Sequence, residues 1–452
     1  MPISPSRVAA FDILLRIERD QAYASELLHS TTYASLSNAD HALATELVMG
    51  VLRWRSRLDE AIASASSKSL AKLDLEILIA LCLAVYQFHW LDRIPKRAAL
   101  HESVELVKRA RKRSAAPFVN AVLRKLSGAA ENLLTDVNVE YASAEVVARI
   151  FAHPQWIVER WASQHGLATA QAICQYDQSI PETAIRLRMR GAEDDLTKEK
   201  IPSTRGVFLA SARRTRSGEL ANTETFRSGG LVIQDESSQL VAALVGDRNS
   251  NAKLTVLDCC AAPGGKTLAI ADRNPGSQIV AVELHPHRAR LLQKLLRARS
   301  SRQIQVLSAD ARKAPFSQPF DRILADVPCS GTGTLARNPE IKWRLTPDDL
   351  ADLQSRQIEI LRSATSLLKK GGRLIYSTCS LEREENEEVV ERVVAENRSL
   401  RPLDCRHELD LLKSTGELIW PDVSSLTRGP YLRTIPGIHP CDGFFAAILE
   451  KT

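Results

Sequence analysis

Two cysteines follow short apolar segments that have the composition of β-strands. Cys329 ends the sequence Asp-Val-Pro-Cys (326–329), and Cys379 lies within Ser-Thr-Cys-Ser (377–380). Parallel strands present their carboxyl ends at one edge of a sheet, where ligands bind. If both segments belong to one such sheet, the two thiols face one substrate. We therefore expect a thiol nucleophile beside a bound cofactor.

The cofactor is indicated by a glycine turn. Residues 254–267 read Leu-Thr-Val-Leu-Asp-Cys-Cys-Ala-Ala-Pro-Gly-Gly-Lys-Thr, which predicts a strand, a tight turn and the start of a helix. Glycine lets a ligand approach the main chain closely. The spacing differs from the dinucleotide fingerprint and from the phosphate-binding loop. The next two strands lead to Glu283 and Asp310, and strand-end carboxylates bind ribose hydroxyls. Together these features indicate an adenosyl ligand without a pyrophosphate.

Several motifs resemble those of the Sun/RsmB-type RNA cytosine-C5 methyltransferases. They are Gln-Asp-Glu-Ser-Ser (234–238), Cys-Ala-Ala-Pro-Gly-Gly-Lys (260–266), Asp-Val-Pro-Cys (326–329) with Gly-Thr-Gly (331–333), Ser-Thr-Cys-Ser (377–380) and Asp-Gly-Phe-Phe (442–445). The resemblance implies a class I, Rossmann-like methyltransferase domain that uses S-adenosyl-L-methionine. Within the family, the helical N-terminal extension is similar to that of the bacterial enzymes that modify 16S (small-subunit) rRNA.

The roles of the site residues follow from this resemblance, since spacing alone does not decide which cysteine attacks. The resemblance implies that Cys379 adds to C6 of cytosine and that Cys329 assists product release. Asp326 is then expected to hydrogen-bond or protonate the N3 edge, and Lys266 to hold either Asp326 or the cofactor carboxylate. A thiol is needed because cytosine C5 is too weak a nucleophile to take a methyl group directly. The cofactor is expected to contact Cys260, Ala261, Ala262, Pro263, Gly264, Gly265, Lys266, Glu283, Asp310 and Asp326.

The elements that position these residues can be read from the apolar pattern. It predicts strands at 254–258, 278–282, 304–307, 320–325 and 373–377, a helix over 347–368 ended by Gly371-Gly372, and an antiparallel hairpin from 432–435 and 444–449. The loop after Cys329 contains four residues whose role the sequence does not decide, namely Arg337, Lys342, Trp343 and Arg344. RNA contact and ion pairing at the surface are both open for them. The acidic run 382–388 is expected to be an exposed helix start.

The first third of the chain is predicted to be helical. Apolar residues recur at helical spacing in segments such as 38–58 and 73–88, and Trp54, Tyr86 and Trp90 are expected in the core. Residues 1–130 hold 18 Lys and Arg against 13 Asp and Glu, an excess of five within the chain's net charge of +6. Such an excess favours binding to the phosphates of a nucleic acid. The basic run 108–113 is equally typical of a solvated helix C-terminus, so both interpretations stay open. The segment resembles a NusB-type RNA-binding bundle.

The expected fold class is therefore multidomain. An all-α NusB-like bundle (1–130) is followed by a small α/β connecting module (131–235) and by the α/β, Rossmann-like methyltransferase domain (236–452). Within the connecting module the pattern predicts a helix over 145–165 and a strand over 183–188 with its basic residues directed outward.

Composition limits the remaining possibilities. The 452 residues include eight cysteines, which are scattered rather than densely spaced as in a small disulfide-linked domain. A reducing cytoplasm is therefore expected. The cysteines form no Cys-x-x-Cys pair, so we expect no structural zinc or other metal. The most apolar stretch, 77–86, is too short to span a bilayer, so no membrane association is expected. We expect a monomer whose partner is RNA.

Three other functions remain open. An amino-group methyltransferase is expected to carry Asp/Asn-Pro-Pro-Tyr/Phe where this chain has Asp-Val-Pro-Cys (326–329), and it needs no thiol. A noncatalytic RNA-binding adaptor would have no use for the two cysteines and the cofactor loop. The same cytosine-C5 reaction on tRNA or large-subunit rRNA is the main alternative, because net charge does not identify the RNA.

Overall fold

The computed structural model describes residues 3–128, 143–189, 191–218, 220–246, 253–298 and 303–452. Its helices are α1 Pro5–Asp20, α2 Ala24–Leu28, α3 Asn38–Ala65, α4 Leu75–Trp90, α5 Lys96–Arg109, α6 Ala116–Gly128, α7 Ala144–Ile150, α8 Gln155–His165, α9 Leu167–Asp177, α10 Ala192–Lys198, α11 Glu224–Arg227, α12 Glu236–Ala243, α13 Gly265–Arg273, α14 Pro286–Ala298, α15 Ile341–Arg344, α16 Pro347–Ser366, α17 Glu387–Glu396 and α18 Cys405–Ser414. Its strands are β1 Thr183–Leu187, β2 Thr204–Arg205, β3 Ala212–Thr215, β4 Leu231–Ile233, β5 Thr255–Asp258, β6 Gln278–Glu283, β7 Ile304–Ser308, β8 Phe320–Asp326, β9 Leu368–Thr378, β10 Leu400–Leu403, β11 Thr427–Arg428, β12 Tyr431–Thr434 and β13 Phe444–Lys451.

The chain forms two compact units. The first comprises Met1–Ile180 and Leu335–Arg344, and the second comprises Pro181–Thr334 and Leu345–Thr452. The helices α7 to α9 thus belong to the first unit, whereas the strands from β1 onward belong to the second. The predicted boundary at residue 130 lies outside the described residues, and the three-domain division remains a prediction.

The first unit is a helical bundle around a central apolar helix. In α4, every residue from 77 to 88 except Leu78 is buried, so this helix contributes to the core on all of its sides. The ring of Trp90 lies 5.1 Å from Trp54 and 5.3 Å from Tyr86, measured between ring centroids. The predicted core location of these three aromatic residues is confirmed, because all of them belong to this cluster or pack against it.

The contact between α3 and α4 leaves no space for a side chain at Gly50. A Cβ atom at Gly50 would lie 1.9 Å from Cζ of Tyr86. We expect Gly50→Ala to destabilise the first unit by about 1–3 kcal/mol, because overpacking forces neighbouring side chains from their preferred positions. Thermal unfolding followed by circular dichroism measures the effect. Gly128→Ala is the control, since no described atom lies within 4 Å of a Cβ there. Equal melting temperatures for Gly50→Ala and wild type would contradict the prediction.

The stretch predicted as one helix over 145–165 is in fact two. Helix α7 ends at Ile150 and α8 begins at Gln155. Ala152 between them has a φ of 49°. Pro154 disfavours the helical conformation at the residue before it, which explains why the helix is interrupted there.

Residues Leu335–Arg344 are part of the first unit, although they follow the Asp-Val-Pro-Cys motif in the chain. Lys342 is 1% exposed, and its Nζ donates a hydrogen bond of 3.0 Å to a main-chain carbonyl of α3. Trp343 Nε1 donates to a second carbonyl of α3 at 2.6 Å, and Arg344 donates to carbonyls at the end of α1 and just beyond it. Burial lowers the pKa of Lys342 to about 7. The predicted RNA contact or surface ion pair was wrong for Lys342, because this residue is buried and binds a main-chain carbonyl. Trp343 and Arg344 are partly exposed, and RNA contact by them stays a prediction.

The second unit contains a small antiparallel sheet in the order β2-β3-β1-β4. The predicted outward direction of the basic residues of 183–188 was wrong. Arg186 and Arg188 form ion pairs of 2.6 and 2.7 Å with Asp272 on α13, and their side chains are 10% and 9% exposed. The carboxylate of Asp272 therefore neutralises two arginines that the strand pattern had predicted to face solvent.

The large sheet of the second unit has the order β11-β12-β13-β9-β8-β5-β6-β7, and β10 pairs with β13. Strands β9, β8, β5, β6 and β7 are mutually parallel. The chain passes from β5 to β6 on one side and later returns to place β8 on the other side. Ligands bind outside the strand ends at such a switch point. The predicted antiparallel hairpin is confirmed by the pairing of β12 with β13.

The predicted end of the helix over 347–368 was misplaced. Helix α16 ends at Ser366 and β9 begins at Leu368, so Gly371 and Gly372 lie inside the strand. Leu368 pairs with Phe320 of β8 across an irregularity in the register, which extends the strand beyond the glycines. In the part of the chain that the structure describes, no helix has the length and apolar character required to cross a membrane.

Candidate active site

The two cysteines of the sequence motifs lie side by side. Strands β8 and β9 are adjacent and parallel, and Asp326 at the end of β8 is in register with Ser377 near the end of β9. Cys329 and Cys379 follow these strand ends, and their Sγ atoms are 3.3 Å apart. Both cysteines are half-buried. The hydrogen bond to Cys379 and burial raise the pKa of the Cys329 thiol.

A carboxylate and an ammonium group lie at the same sheet edge. Lys266 Nζ, at the start of α13, is 2.8 Å from Asp326 Oδ2, and Ser377 Oγ donates to Asp326 Oδ1 at 2.7 Å. Lys266 Nζ also lies 4.7 Å from the ring centroid of Phe444 on β13. The carboxylate of Asp326 is therefore held from α13 and from β9, and Lys266 is in turn packed against β13.

The glycine turn between β5 and α13 is held by the neighbouring strands. Ala261 N donates to a carbonyl of β6 at 2.8 Å. Gly264 has a φ of 111°, and a Cβ there would lie 2.6 Å from Leu292 Cδ1 of α14. Only glycine fits this position, because the left-handed backbone and the close approach each disfavour a side chain. The turn therefore leaves Ala262, Pro263 and Gly265 partly or fully exposed at the sheet edge.

A buried carboxyl group lies below this turn. Asp258, the last residue of β5, accepts a hydrogen bond of 2.7 Å from Thr267 Oγ1 of α13. Burial raises the pKa of Asp258 to about 7. This carboxyl group is consequently protonated for part of the time near neutral pH, which limits the negative charge that it adds beside Asp326.

Two further carboxylates stand on the neighbouring strands. Glu283 ends β6, is 5% exposed and accepts a hydrogen bond of 2.9 Å from His285 N. Asp310 follows β7 by two residues and forms an ion pair of 2.7 Å with Arg312, whose hydrogen bonds lower the pKa of Asp310. Because β6 and β7 are adjacent and parallel, both carboxylates lie at the edge that carries the glycine turn. Such acceptors are suited to the hydroxyl and amino groups of an adenosyl ligand.

The structure thus joins some of the predicted site residues directly and brings others to the same edge. Cys329 contacts Cys379, and Lys266 contacts Asp326, whereas Glu283, Asp310 and residues 260–265 lie at the carboxyl ends of the neighbouring strands. Their roles stay predictions. Four further cysteines are buried, namely Cys82, Cys174, Cys405 and Cys441.

Sequence reasoning missed two groups at this site. Ser377 was noted only as part of a motif, although it hydrogen-bonds Asp326. The acidic run 382–388 was expected to be exposed, and this was wrong at Glu382 and Glu385, which are both 0% exposed. The sequence held one signal for the buried carboxylate of Glu385, namely that a serine follows each of the two cysteines, Ser330 and Ser380.

The chain is similar to known proteins over its whole length. A family model described as "16S rRNA methyltransferase RsmB/F" matches residues 247–450, and the NusB family model matches residues 4–128. The "Probable ribosomal RNA small subunit methyltransferase B" of Bacillus subtilis is 35% identical over 98% of this chain and 98% of its own. The "Ribosomal RNA small subunit methyltransferase B" of Pseudomonas syringae is 32% identical over 91% of this chain and 89% of its own.

Two solved structures have a similar fold. The crystal structure of PH0851 matches with a TM-score of 0.80 and 22% identity over 100% of both chains. The structure of NSun6 from Pyrococcus horikoshii with SFG matches with a TM-score of 0.55 and 19% identity over 66% of this chain and 98% of that chain. At these identities the likeness shows the fold alone.

Proposed function

This chain belongs to the RsmB/F family of 16S rRNA methyltransferases, and we propose on that basis that it methylates C5 of a cytosine in 16S rRNA through a covalent cysteine adduct. The family resemblance and the fold class inferred from the sequence motifs are both confirmed, including the NusB-like first part. The coarser function, methylation of rRNA, follows from family membership. The cytosine-C5 chemistry and the choice of 16S rRNA are the proposal.

The residues at the sheet edge fit S-adenosyl-L-methionine as the cofactor. The turn at 260–266 has partly or fully exposed residues at Ala262, Pro263 and Gly265, and Glu283 and Asp310 offer carboxylates at the ends of the next two strands. This set suits a nucleoside with hydroxyl and amino groups and contains no phosphate-binding loop. NSun6, which shares the fold, was solved with SFG, an analogue of this cofactor. When bound, S-adenosyl-L-methionine supplies the electrophilic methyl group that C5 receives.

The proposed mechanism assigns one task to each of four side chains. Cys379 Sγ gives up its proton, which passes to Asp326, and forms a bond to C6 of the cytosine, which shifts electron density to C5. Asp326 takes up this proton and donates it to N3, which neutralises the negative charge that develops on the ring. Lys266 holds Asp326 in place through the 2.8 Å ion pair. After methylation, Cys329, having released its own proton to solvent, accepts the C5 proton as a thiolate. The electrons of the C5–H bond form the C5–C6 double bond, the bond between C6 and Cys379 breaks with its electrons on the Cys379 sulfur, and N3 returns its proton to Asp326.

The observation that carries this proposal is the distance of 3.3 Å between the two thiols. C5 and C6 are neighbouring atoms of one ring, so a nucleophile for C6 and a proton acceptor for C5 have to lie close together. An amino-group methyltransferase does not need two adjacent thiols. A noncatalytic RNA-binding adaptor needs neither the two thiols nor a carboxylate held by a lysine at the same sheet edge. We further propose that the protein acts as a monomer in the cytoplasm, with RNA as its partner.

Methylation of purified RNA tests the proposal. The protein is incubated with methyl-labelled S-adenosyl-L-methionine and, in separate reactions, with bare 16S rRNA, 23S rRNA and tRNA, and the labelled nucleoside is then identified. Label in 5-methylcytidine of 16S rRNA is expected. Label in 5-methylcytidine of tRNA or 23S rRNA alone would retain the chemistry and refute the substrate. Label in another nucleoside would refute the chemistry.

Replacing Lys266 with methionine is expected to slow methyl transfer by about 10–100-fold, because Asp326 loses the cation that positions it. Methionine keeps the unbranched chain that packs near Phe444, so the loss reports the charge rather than the volume. Lys266→Arg is the control and should retain more activity than Lys266→Met. The rate is measured in single turnovers with saturating cofactor and RNA. Equal rates for wild type and Lys266→Met would show that the ion pair is not needed.

A further inference from the structure

Both cysteines are followed by a serine, and the two serines share one acceptor. The hydroxyl groups of Ser330 and Ser380 each donate a hydrogen bond to Oε2 of Glu385. The two hydroxyl oxygens are themselves 3.0 Å apart. Glu385 lies in the short segment between β9 and α17, and its side chain is completely buried. One carboxylate oxygen therefore connects the residue after Cys329 to the residue after Cys379.

The second carboxylate oxygen is also occupied. Ser330 N and Gln357 Nε2 each donate to Glu385 Oε1 at 2.8 Å. Gln357, which lies on α16, also donates to the carbonyl of Pro328 at 3.0 Å. The carbonyl of Glu385 accepts from the hydroxyl of Tyr376 at 2.6 Å. Four hydrogen bonds to the carboxylate compensate for its loss of water, and they come from both cysteine loops and from α16.

Main-chain contacts support the same connection. Gly333 N donates to the carbonyl of Cys379 at 2.9 Å. Leu381 N donates to Thr332 Oγ1, also at 2.9 Å. A Cβ at Gly333 would lie 2.8 Å from the carbonyl oxygen of Cys379, so the two loops touch closely. The loops after β8 and β9 thus form one hydrogen-bonded unit centred on Glu385.

We propose that Glu385 is a positioning residue that sets the distance and orientation of the Cys329 and Cys379 thiols. This inference rests on the proposed function, in which the two thiols act on neighbouring atoms of one ring. Glu385 has no direct contact with either sulfur in the hydrogen bonds described. It acts through Ser330 and Ser380, each bonded directly along the chain to its cysteine. A misplacement of about 1 Å in such an arrangement lowers the rate of reaction about 10²-fold.

The substitution Glu385→Gln isolates this role. The side chain keeps its size, but an amide NH₂ replaces one of the oxygens, so either the two serine hydroxyls or Ser330 N and Gln357 would face a donor instead of an acceptor. The negative charge is also lost, and that charge is one of the causes that raise the pKa of Cys329. The pKa of Cys329 should therefore fall in the variant.

Two measurements on the full-length protein are expected to change together. The kcat for methylation of 16S rRNA by Glu385→Gln should fall by about 10–100-fold, while the KM values for RNA and cofactor remain within about twofold. The midpoint pH for alkylation of Cys329 by iodoacetamide, followed by peptide mass spectrometry, should move to lower pH. A kcat within twofold of wild type together with an unchanged midpoint would overturn the proposal.

A matched control separates positioning from stability. Glu417→Gln changes another largely buried carboxylate of the second unit, which pairs with Arg273 away from the cysteines. It is expected to lower the melting temperature while leaving kcat and the alkylation midpoint of Cys329 unchanged. If Glu417→Gln reduced kcat as much as Glu385→Gln does, a general loss of stability would explain both effects and the proposal would fail.

Smaller substitutions keep the proposal testable if Glu385→Gln does not fold. Ser330→Ala and Ser380→Ala each remove one hydroxyl, and the double variant should lower kcat by about 10-fold or more with little change in KM. Unchanged kcat in the double variant would overturn the proposal. If wild type forms no 5-methylcytidine, the proposed function fails. The alkylation of Cys329 requires no RNA and would still decide whether Glu385 controls the thiol pair.

Discussion

Cys379→Ala is expected to abolish methylation, with a loss of at least about 10³-fold, because no other group in the proposed mechanism forms the bond to C6. The structure places this thiol 3.3 Å from Cys329 and directly after β9. The rate is measured in single turnovers with labelled S-adenosyl-L-methionine and 16S rRNA, so that slow product release does not obscure the chemical step.

The control for this prediction is Cys405→Ala. Cys405 is also in the second unit but is completely buried, and its Sγ lies 3.6 Å from the carbonyl of Ala446. This variant removes the same atom and should keep nearly full activity once it is folded. Full activity of Cys379→Ala would show that the nucleophile is a different residue. A large loss in both variants would mean that the assay reports folding rather than chemistry.

Cys329→Ala is expected to trap a covalent complex between protein and RNA. In the proposed mechanism Cys329 accepts the C5 proton, and without this step the bond between Cys379 and C6 is not broken. Turnover should therefore fall by about 10²-fold or more, which is the usual contribution of a general base. The trapped complex is detected as a slowly migrating band on a denaturing gel that contains label from both the RNA and the methyl group.

The double variant Cys329→Ala/Cys379→Ala identifies the attacking thiol. It should form no trapped complex, because the nucleophile is absent. If the complex instead accumulates with Cys379→Ala and is lost in the double variant, the two cysteines have exchanged roles. If Cys329→Ala turns over at the wild-type rate, product release does not depend on this thiol.

Much of the second unit was predictable from the sequence, because the strands at its centre are parallel and the motifs lie at their carboxyl ends. A run of apolar residues followed by Asp326 or Glu283 predicts a buried strand with a carboxylate at its carboxyl end. Once those strands form one sheet, the carboxylates and cysteines necessarily lie along one edge. The order β9-β8-β5-β6-β7 is the observation that makes this edge a common site.

The misplaced elements share a physical reason. The break between α7 and α8 was predictable in principle from Pro154, because the effect of proline on the preceding residue is local. In contrast, the start of β9 at Leu368 depends on its pairing with β8, which lies about fifty residues earlier in the chain. Local composition indicates a turn at Gly371, but pairing with a neighbouring strand extends the element through it.

The sequence by itself determined the family, the fold class, the two cysteines and the strand ends that carry them, because local motifs and periodicity specify each of these. Only the tertiary structure decided which charged groups are buried. Lys342 and Glu385 read as surface residues, yet each is completely buried and satisfied by hydrogen bonds from or to distant parts of the chain. A buried charge is tolerated only where such partners converge. Their convergence depends on long-range packing, which no local pattern records.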